Sequence, residues 1–254
     1  VSFNVKNYLL NCLRSVYKAV NSFNIEVIVV DNASEDESVE VVKSQFPQVK
    51  IIENIVNVGF GKACNQGLKL STGSYILFLN PDTLIDENTF STFLPYIKER
   101  PEIGLLGCRI LNEDGSLQLA CRRSFPSPWA AFTRLSGLSK LFPKSKWASK
   151  YNLTYLDEFQ EHEVDAISGS FMLFNRKVFE TIGGFDEQFF MYGEDLDLCY
   201  RVKKAGFKVI YSPAVSIVHF KGKSISKSVN TKFHFYRAMK IFITKNGNHN
   251  PIML

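Results

Sequence analysis

Short apolar runs and amphipathic segments alternate along the first 110 residues. Residues 25–31 form a β-branched apolar run of the kind found in strands that are buried on both faces. Ser34 and Glu37 have the spacing of a capping box, which predicts a helix that continues to about Gln45. Further elements are predicted by the same periodicities, namely strands at 49–53, 75–79 and 103–108 and helices at 61–70 and 86–98. This alternation of strands and helices predicts a parallel, doubly wound sheet.

The pattern is less regular between residues 112 and 163, where three prolines interrupt it and both tryptophans of the chain occur. Two interpretations stay open for this partly helical insert, because it either shapes a substrate pocket or only packs against the rest. From residue 164 the pattern resumes, with strands predicted at 170–174, 208–211 and 215–219 and helices at 176–182 and 194–205.

Length and composition describe an ordinary globular protein. A chain of 254 residues can bury one sizeable core, and its 45% of hydrophobic residues excludes a disordered chain. No run reaches the roughly 18 consecutive apolar residues of a membrane span. The five cysteines are scattered and lack CxxC spacing, which argues against a disulfide framework or zinc site and fits a reducing compartment. The first four residues have the pattern of the end of a strand that begins earlier.

Charge is distributed unevenly along the chain. The first 200 residues contain 19 basic and 25 acidic side chains, whereas residues 201–254 contain eleven basic side chains and no acid. Such a tail favours an anionic partner, namely a phosphate, a pyrophosphate, an acidic membrane surface or nucleic acid. Nucleic acid is disfavoured because no recognised binding module accompanies the charge. A tail that only keeps the protein in solution is the plain alternative.

Carboxylates cluster between Asp186 and Asp197, next to aromatic residues and at a predicted helix start. A carboxylate in apolar surroundings can have a raised pKa and act as a general base, which makes Glu194 and Asp195 candidate catalytic residues. The alternative is that both acids only stabilise the helix N-terminus. Asp197 and Arg201 are four residues apart and predict a structural salt bridge.

Two further acids follow predicted strands, at the sheet edge where ligands of doubly wound folds bind. Asp31 is suited to accept hydrogen bonds from a nucleobase or ribose, unless it only caps the next helix. Asp82 follows Asn80 and Pro81 and is suited to hold Mg²⁺ or Mn²⁺ against a diphosphate, unless this is an ordinary proline turn.

A glycine-containing turn and a histidine complete the candidates. The run from Asn57 through Gly59 and Phe60, with Asn65 one helical turn later, suits a nucleotide base or phosphate, although a plain loop explains it equally well. His219, followed by Lys221, Gly222, Lys223 and Ser224, suits a metal or phosphate, with a structural histidine as the alternative.

In this order the segments resemble glycosyltransferase family 2, the inverting nucleotide-sugar enzymes, and within it the rhamnosyltransferase-like branch. The resemblance rests on residues 1–4, 30–34, 57–60, 80–82, 168–172, 183–186, 194–195 and 219–224. It implies an α/β fold of the GT-A type, a nucleotide-binding, Rossmann-like, mostly parallel sheet flanked by helices, with an acceptor-side subdomain. Residues 1–110 would bind the nucleotide sugar, and residues 111–254 would bind the acceptor and carry the catalytic base.

The resemblance also assigns roles. Asp195 would deprotonate the acceptor hydroxyl with support from Glu194, and Asp82 with His219 would hold the divalent metal, Mg²⁺ or Mn²⁺. Donor contacts would come from Asn4, Asp31, Asn57, Gly59, Phe60, Asn65, Asn80, Gly169 and Arg201. The fold's metal motif is commonly Asp-x-Asp, and Asn80 in its first position predicts weaker metal dependence.

Partners follow from the same resemblance. The donor would be a dTDP- or UDP-sugar, with rhamnose suggested only by the branch, and the acceptor a glycan or polyprenyl-diphosphate-linked glycan. Such an enzyme would be cytoplasmic and peripheral at the inner face of the cell membrane. Residues 233–243, which include Phe235, Met239 and Phe242, would contact anionic lipid or, alternatively, pack in the core.

Competing functions are distinguished by sequence features. A processive polysaccharide synthase would add membrane spans and a Gln-x-x-Arg-Trp motif, which the chain lacks. A nucleotidyltransferase would carry a glycine-rich phosphate loop after its first strand, where this chain has Asn4, Val5, Lys6 and Asn7. A non-catalytic sugar-nucleotide-binding or scaffold protein remains an alternative, against which the intact Asp82 and Asp195 argue.

Overall fold

Strands and helices alternate along the chain in a computed structural model that describes residues 1–20, 23–222 and 231–246. The helices are α1 Lys6–Ala19, α2 Ser38–Gln45, α3 Phe60–Leu70, α4 Thr89–Lys98, α5 Pro128–Leu135, α6 Leu138–Leu141, α7 Arg176–Ile182, α8 Glu194–Lys204 and α9 Thr231–Asn246. The strands are β1 Ile28–Asp31, β2 Lys50–Glu53, β3 Tyr75–Leu79, β4 Thr83–Ile85, β5 Ile103–Leu111, β6 Arg122–Arg123, β7 His162–Glu163, β8 Ala166–Ile167, β9 Phe171–Asn175 and β10 Lys208–His219. Within the described residues, no helix is both long enough and apolar enough to cross a membrane.

The central sheet has the strand order β3-β9-β5-β10-β4, with β7 paired to β10. β5 and β10 pair in parallel, while β9 lies antiparallel between β3 and β5, so that β3, β5 and β10 all run in one direction. The two strands predicted at 208–211 and 215–219 are one strand with a register shift between Ser212 and Ser216. Pro213 falls in this irregular stretch, where its missing N–H costs no ladder hydrogen bond. The predicted α/β fold is confirmed.

β1 and β2 form a separate parallel pair. Ser2 lies parallel to the end of β1, because its N–H donates to Val30 O at 2.8 Å and its carbonyl accepts from Asn32 N at 2.8 Å. A cavity of about 900 Å³ is lined by residues 23–30 on one side and 73–79 on the other. This cavity lies between the β1–β2 pair and β3.

One core joins the two predicted halves of the chain. β5 crosses the boundary predicted at residue 110, and seven of its nine residues are buried. Phe93 from α4 packs against Phe171 from β9, with ring centroids 5.9 Å apart. Both sides of the sheet are therefore covered within one continuous apolar cluster.

Two predicted helix starts are wrong. Ser34 does not cap a helix, since its hydroxyl donates to Asp31 at 2.5 Å, and α2 begins only at Ser38. Glu37, the expected capping-box partner, has a φ of +63° and makes no side-chain cap. α4 begins at Thr89 rather than at Asp86, because the Asp86 side chain accepts from Asn88 N at 2.8 Å and closes a turn instead.

α9 packs inward over the start of α8. Phe242 is fully buried against Phe125 and Tyr200, and Lys245 lies 2.7 Å from Asp186 and 2.8 Å from Asp197. Of the two interpretations of this segment, core packing is therefore confirmed for Phe242, and lipid contact is wrong for it. The reason is that α9 buries an apolar face, which includes Ala238 and Phe242, against the protein itself.

Candidate active site

A three-residue turn between β8 and β9, residues 168–170, connects the candidate base to the candidate metal ligands. Gly169 N donates to Asp195 Oδ2 at 3.2 Å. The next residue, Ser170, accepts a hydrogen bond from Asn80 N at 3.1 Å and places its Oγ 3.2 Å from His219 Nδ1. Side chains that are far apart in the sequence therefore meet on the two sides of one short turn.

Asp195 is the second residue of α8, and its orientation is determined by three donors. Arg123 Nη2 lies 2.5 Å from Oδ2, and Leu196 N donates to Oδ1 at 2.8 Å, in addition to the contact from Gly169. The side chain is 13% exposed, so solvent or a substrate can reach it. A carboxylate that is held in one orientation and is accessible meets the geometric requirement for a general base.

Glu194 precedes it and has a different environment. The residue is 8% exposed, and its Oε2 has no hydrogen-bond partner among the described residues. Burial, and secondly the charge of Asp195, raises the pKa of Glu194 from 4.5 to about 8. The two neighbouring acids therefore differ: Asp195 is an ion-paired carboxylate, and Glu194 is a carboxyl group that resists ionisation.

Arg123 was not identified from the sequence. Besides Asp195, its Nη2 donates to Ile167 O at 2.8 Å, and the antiparallel pairing of β6 with β8 holds it in place. The only sequence signal for such a residue is that residues 115–156 contain basic side chains but no acid, so any basic side chain buried there needs a partner elsewhere in the chain. The local pattern does not show which of these basic side chains is buried.

The candidate metal side consists of Asp82, His219 and Asn80. Asp82 is 1% exposed, and its Oδ1 accepts no hydrogen bond among the described residues but lies 3.2 Å from His219 Nε2. Asn80 Nδ2 lies 3.3 Å from the same ring nitrogen. Asn80 and Asp82 lie in the turn between β3 and β4, and His219 is the last residue of β10.

Gln118, also missed from the sequence, determines the histidine tautomer. Its amide Nε2 donates to His219 O at 2.7 Å, which leaves Oε1 facing His219 Nδ1 at 2.9 Å. Because an amide oxygen only accepts, Nδ1 carries a proton, and Nε2 is the ring nitrogen that faces Asp82. This assignment rests on the hydrogen-bond network.

These residues fit a divalent cation. An unsatisfied buried carboxylate oxygen and an imidazole nitrogen face each other, and the imidazole is oriented from behind as metal-bound histidines are. The described residues contain no cluster of three or more His, Cys, Asp or Glu side chains suited to a metal, and Asp82 and His219 are two side chains of these types that face each other. Lys223 and Ser224, the rest of the predicted metal or phosphate motif, lie outside the described residues.

Asp31 and Asn4 are joined through Ser34. Both carboxylate oxygens of Asp31 are engaged by Ser34, at 2.8 Å from its N–H and 2.5 Å from its hydroxyl. Asn4 N donates to Ser34 Oγ at 2.9 Å, and Asn4 Oδ1 accepts from Glu35 N at 2.8 Å. Asp31 therefore closes the turn after β1 and does not cap α2.

The Gly59 loop adjoins this turn. Asn32, a further residue that the sequence did not reveal, donates from Nδ2 to Gly59 O at 3.3 Å. Gly59 has a φ of +88°, and a Cβ there would lie 2.7 Å from Phe190 O, so only glycine allows Phe60 N to reach that oxygen at 2.9 Å. Asn57 Oδ1 accepts from Gly59 N at 3.0 Å and closes the loop.

Asn65 and Arg201, which the resemblance assigns as donor contacts, are both engaged by hydrogen bonds within the protein. Asn65 donates to Phe185 O and accepts from Phe185 N, both at 2.9 Å. Arg201 donates to Asp197 at 2.8 Å, to Ile182 O at 2.7 Å and to Gly184 O at 2.7 Å. Both side chains support the loop before α8, and the predicted Asp197–Arg201 salt bridge is confirmed.

The fold and this two-sided site define the class of protein. Solved structures with the same fold include Staphylococcus aureus TarS, with a TM-score of 0.62 and 17% identity, matched over 96% of this chain and 38% of that one. They also include the mannosyltransferase PcManGT from Pyrobaculum calidifontis in complex with GDP-Man and Mn²⁺, with a TM-score of 0.59, 18% identity, 94% of this chain and 62% of that chain. The protein has the fold of the GT-A glycosyltransferases.

The chain belongs to glycosyl transferase family 2, whose model matches residues 1–183. A second model, described as the N-terminal domain of galactosyltransferase, matches residues 157–223. The confirmed predictions are therefore the family, the GT-A fold and glycosyltransferase activity.

Two relatives similar in sequence are rhamnosyltransferases by name. The N-acetylglucosaminyl-diphospho-decaprenol L-rhamnosyltransferase of Mycobacterium tuberculosis is 28% identical over 214 residues, which are 80% of this chain and 69% of that protein. Rhamnosyltransferase WbbL of Escherichia coli is 34% identical over 148 residues, which are 58% of this chain and 52% of that protein. The chain thus spans between half and about two thirds of the length of these relatives.

Proposed function

We propose that the protein transfers a sugar, with inversion, from a dTDP- or UDP-sugar to a hydroxyl of a glycan or polyprenyl-diphosphate-linked acceptor in cell-surface polysaccharide synthesis. The observation that carries this proposal is the turn at residues 168–170, which contacts Asp195 through Gly169 and His219 through Ser170. Rhamnose is the favoured sugar because both relatives described above are rhamnosyltransferases by name.

Asp195 acts as the general base. Its Oδ2 is 2.5 Å from Arg123, and the contacts from Gly169 and Leu196 hold the carboxylate in one orientation. It removes the proton of the acceptor hydroxyl, whose oxygen forms a bond to the anomeric carbon as the bond to the nucleoside diphosphate breaks on the opposite face. A single displacement of this kind inverts the configuration.

Asp82 and His219 would hold a divalent cation, Mg²⁺ or Mn²⁺. When bound, such an ion supplies charge stabilisation for the leaving diphosphate. The neutral Asn80 offers less charge than a carboxylate, so we expect weaker metal affinity than an Asp-x-Asp site would give. Support comes from the unsatisfied Asp82 Oδ1 and from His219 Nε2, which lies 3.2 Å from it.

The two halves of the chain bind different substrates. Residues 1–110 bind the donor, with Asn4 and Asp31 near the nucleobase and Asn57, Gly59 and Phe60 beside it, and Asn80 and Gly169 complete the donor side. Residues 111–254 bind the acceptor and contain the base. A cytoplasmic protein, peripheral at the inner face of the cell membrane, would meet both a nucleotide sugar and a lipid-linked acceptor.

The experiment measures nucleoside diphosphate release from a panel of dTDP- and UDP-sugars, with Mn²⁺, with Mg²⁺ and with a chelator. We expect release with at least one donor and acceptor, and a decrease on metal removal. Asp195→Asn should retain the fold and donor binding but lose about 10²- to 10⁴-fold in turnover, whereas Asp114→Asn, in an exposed turn, should leave it unchanged.

Two outcomes contradict the proposal in different ways. Near-normal turnover of Asp195→Asn would exclude its role as the base. Binding of several donors without turnover with any acceptor would favour a sugar-nucleotide-binding protein instead.

A further inference from the structure

The insert that contains α5 and α6 presents a cluster of large apolar side chains to solvent. Five of them, between 38% and 70% exposed, define an aromatic face: Trp129, Phe132, Leu141, Phe142 and Trp147. The Trp129 ring centroid lies 4.8 Å from that of Trp147 and 5.5 Å from that of Phe132, and Trp129 Nε1 donates to Trp147 O at 3.1 Å. Exposed apolar groups that contact one another form a patch, and such patches mark interaction sites.

The charge around this face has one sign. Residues 115–156 contain seven Lys and Arg residues and no acid. Two of the seven, Arg122 and Arg123, are engaged inside the protein. The other five are exposed, and none forms an ion pair within the described part of the chain: Arg134, Lys140, Lys144, Lys146 and Lys150.

This combination fits an anionic bilayer better than a protein partner. Tryptophan is favoured at the headgroup level of membranes, and phenylalanine and leucine belong to the apolar faces that insert below it. Lysines extend along apolar surface while their charges reach anionic headgroups. Protein interfaces, in contrast, are depleted in lysine, and four of the five exposed cations are lysines. The positive charge around the aromatic face therefore favours an anionic lipid bilayer over a protein as its binding partner.

The face lies on the acceptor side of the site. Phe125, three residues before α5, packs against Tyr200 of α8 and Phe242 of α9, with ring centroids 5.4 Å and 6.0 Å apart. Arg123, two residues earlier, contacts Asp195. The same chain segment thus leads from the candidate base to the aromatic face.

We propose that residues 128–150 form a docking surface for an anionic lipid bilayer. The surface holds the enzyme with the Asp195 side of its cleft towards membrane-linked acceptors; this orientation rests on the proposed function, whereas lipid binding itself does not. α9 offers a second basic surface with exposed Lys232, Arg237 and Lys240, which makes it the internal comparison.

The two tryptophans of the chain are both in the aromatic face, so tryptophan emission, excited selectively over the ten tyrosines, reports on this surface alone. With phosphatidylglycerol-containing vesicles we expect a blue shift of the emission and quenching by brominated acyl chains. Pure phosphatidylcholine vesicles should cause neither effect, and raising the salt from about 0.05 to about 0.5 M should weaken binding.

Variants test the surface directly. Each cation near an anionic membrane contributes about fivefold to partitioning, so the triple variant Lys140→Glu, Lys144→Glu, Lys146→Glu should bind at least on the order of 100-fold more weakly. The double variant Leu141→Ser, Phe142→Ser should lose the quenching. A matched triple variant of exposed lysines elsewhere, Lys69→Glu, Lys98→Glu, Lys177→Glu, should lose less than about tenfold.

Three results would overturn the proposal. The first two are no binding of the wild type to anionic vesicles, and binding without a shift of the tryptophan emission. The third is loss of binding in the α9 triple variant Lys232→Glu, Arg237→Glu, Lys240→Glu while the triple variant of the insert lysines still binds. Tryptophan shifts on self-association without lipid would indicate a protein interface instead. Turnover of a water-soluble acceptor should be unchanged in the insert variants. If the wild type binds vesicles but shows no turnover, the proposed function fails while the docking surface stands.

Discussion

Glu194 provides a direct test of the electrostatics beside the candidate base. Burial and the charge of Asp195 raise the pKa of this carboxyl group from 4.5 to about 8. In the unfolded chain it titrates near its ordinary value, so the unfolded state loses the proton at a lower pH than the folded state. Ionisation therefore favours unfolding as the pH rises above about 4.5, and the penalty is complete above about 8.

Replacement Glu194→Gln retains the shape of the neutral acid and removes its titration. The difference between 4.5 and about 8 corresponds to on the order of 5 kcal/mol at full ionisation. The charge of Asp195 contributes to this shift, so part of the free energy belongs to the pair, and we expect about 3 to 5 kcal/mol in the difference between the two proteins.

The assay is urea unfolding of both proteins at about pH 5 and about pH 8.5. The two free energies of unfolding should agree within about 1 kcal/mol at the lower pH, and the variant should be the more stable by about 3 to 5 kcal/mol at the higher pH. Buried free thiols also favour unfolding at alkaline pH, but equally in both proteins. Glu180→Gln, at an exposed position of α7, is the control and should follow the wild type. Parallel pH profiles for wild type and Glu194→Gln would refute the reasoning.

Two further predictions concern the loops around the site. Gly59→Ala should lower the free energy of unfolding by about 3 kcal/mol or more, because its φ of +88° is strained for alanine and the new Cβ meets Phe190 O at 2.7 Å. Gly115→Ala, with a φ of +80° and no neighbour within 4 Å, should cost only about 1 to 2 kcal/mol, and equal losses would show that the close approach is unimportant. Arg201→Met should cost about 2 to 4 kcal/mol with unchanged nucleotide affinity, since Lys245 still holds the fully buried Asp197. Lys203→Met, which removes half-exposed ion pairs, should cost less than about 1 kcal/mol, and an Arg201 variant of normal stability that no longer binds nucleotide would restore the donor-contact interpretation.

The strands were largely predictable because their periodicity is local. The strand at 75–79 and the helix at 176–182 have the predicted bounds, while α2 and α4 begin three or four residues late. Both late starts have one cause, since Asp31 and Asp86 form side-chain turns that replace the expected first helical turn. Competition between a turn and a helix for the same hydrogen-bonding groups is decided by neighbours that periodicity does not reveal.

The placement of β9 was not predictable either. Its apolar run predicts a strand but not its direction, and the structure inserts it antiparallel between β3 and β5. That insertion brings the turn at residues 168–170 to the sheet edge where Asn80 and Asp82 lie, and so creates the site.

The amino-acid sequence by itself determined the α/β class, the family, and the acids at the strand ends and helix start, because these depend on periodicity and on motifs of a few adjacent residues. Only the tertiary structure decided which of these groups are neighbours. Asp195 meets Gly169 across 26 residues and Arg123 across 72, and His219 meets Ser170 across 49 and Gln118 across 101. The same packing turned Arg201 and Asn65 into loop supports and buried Phe242. Hydrogen-bond partners at such separations depend on how distant parts of the chain pack together. A buried polar group then pairs with a polar group that this packing places next to it.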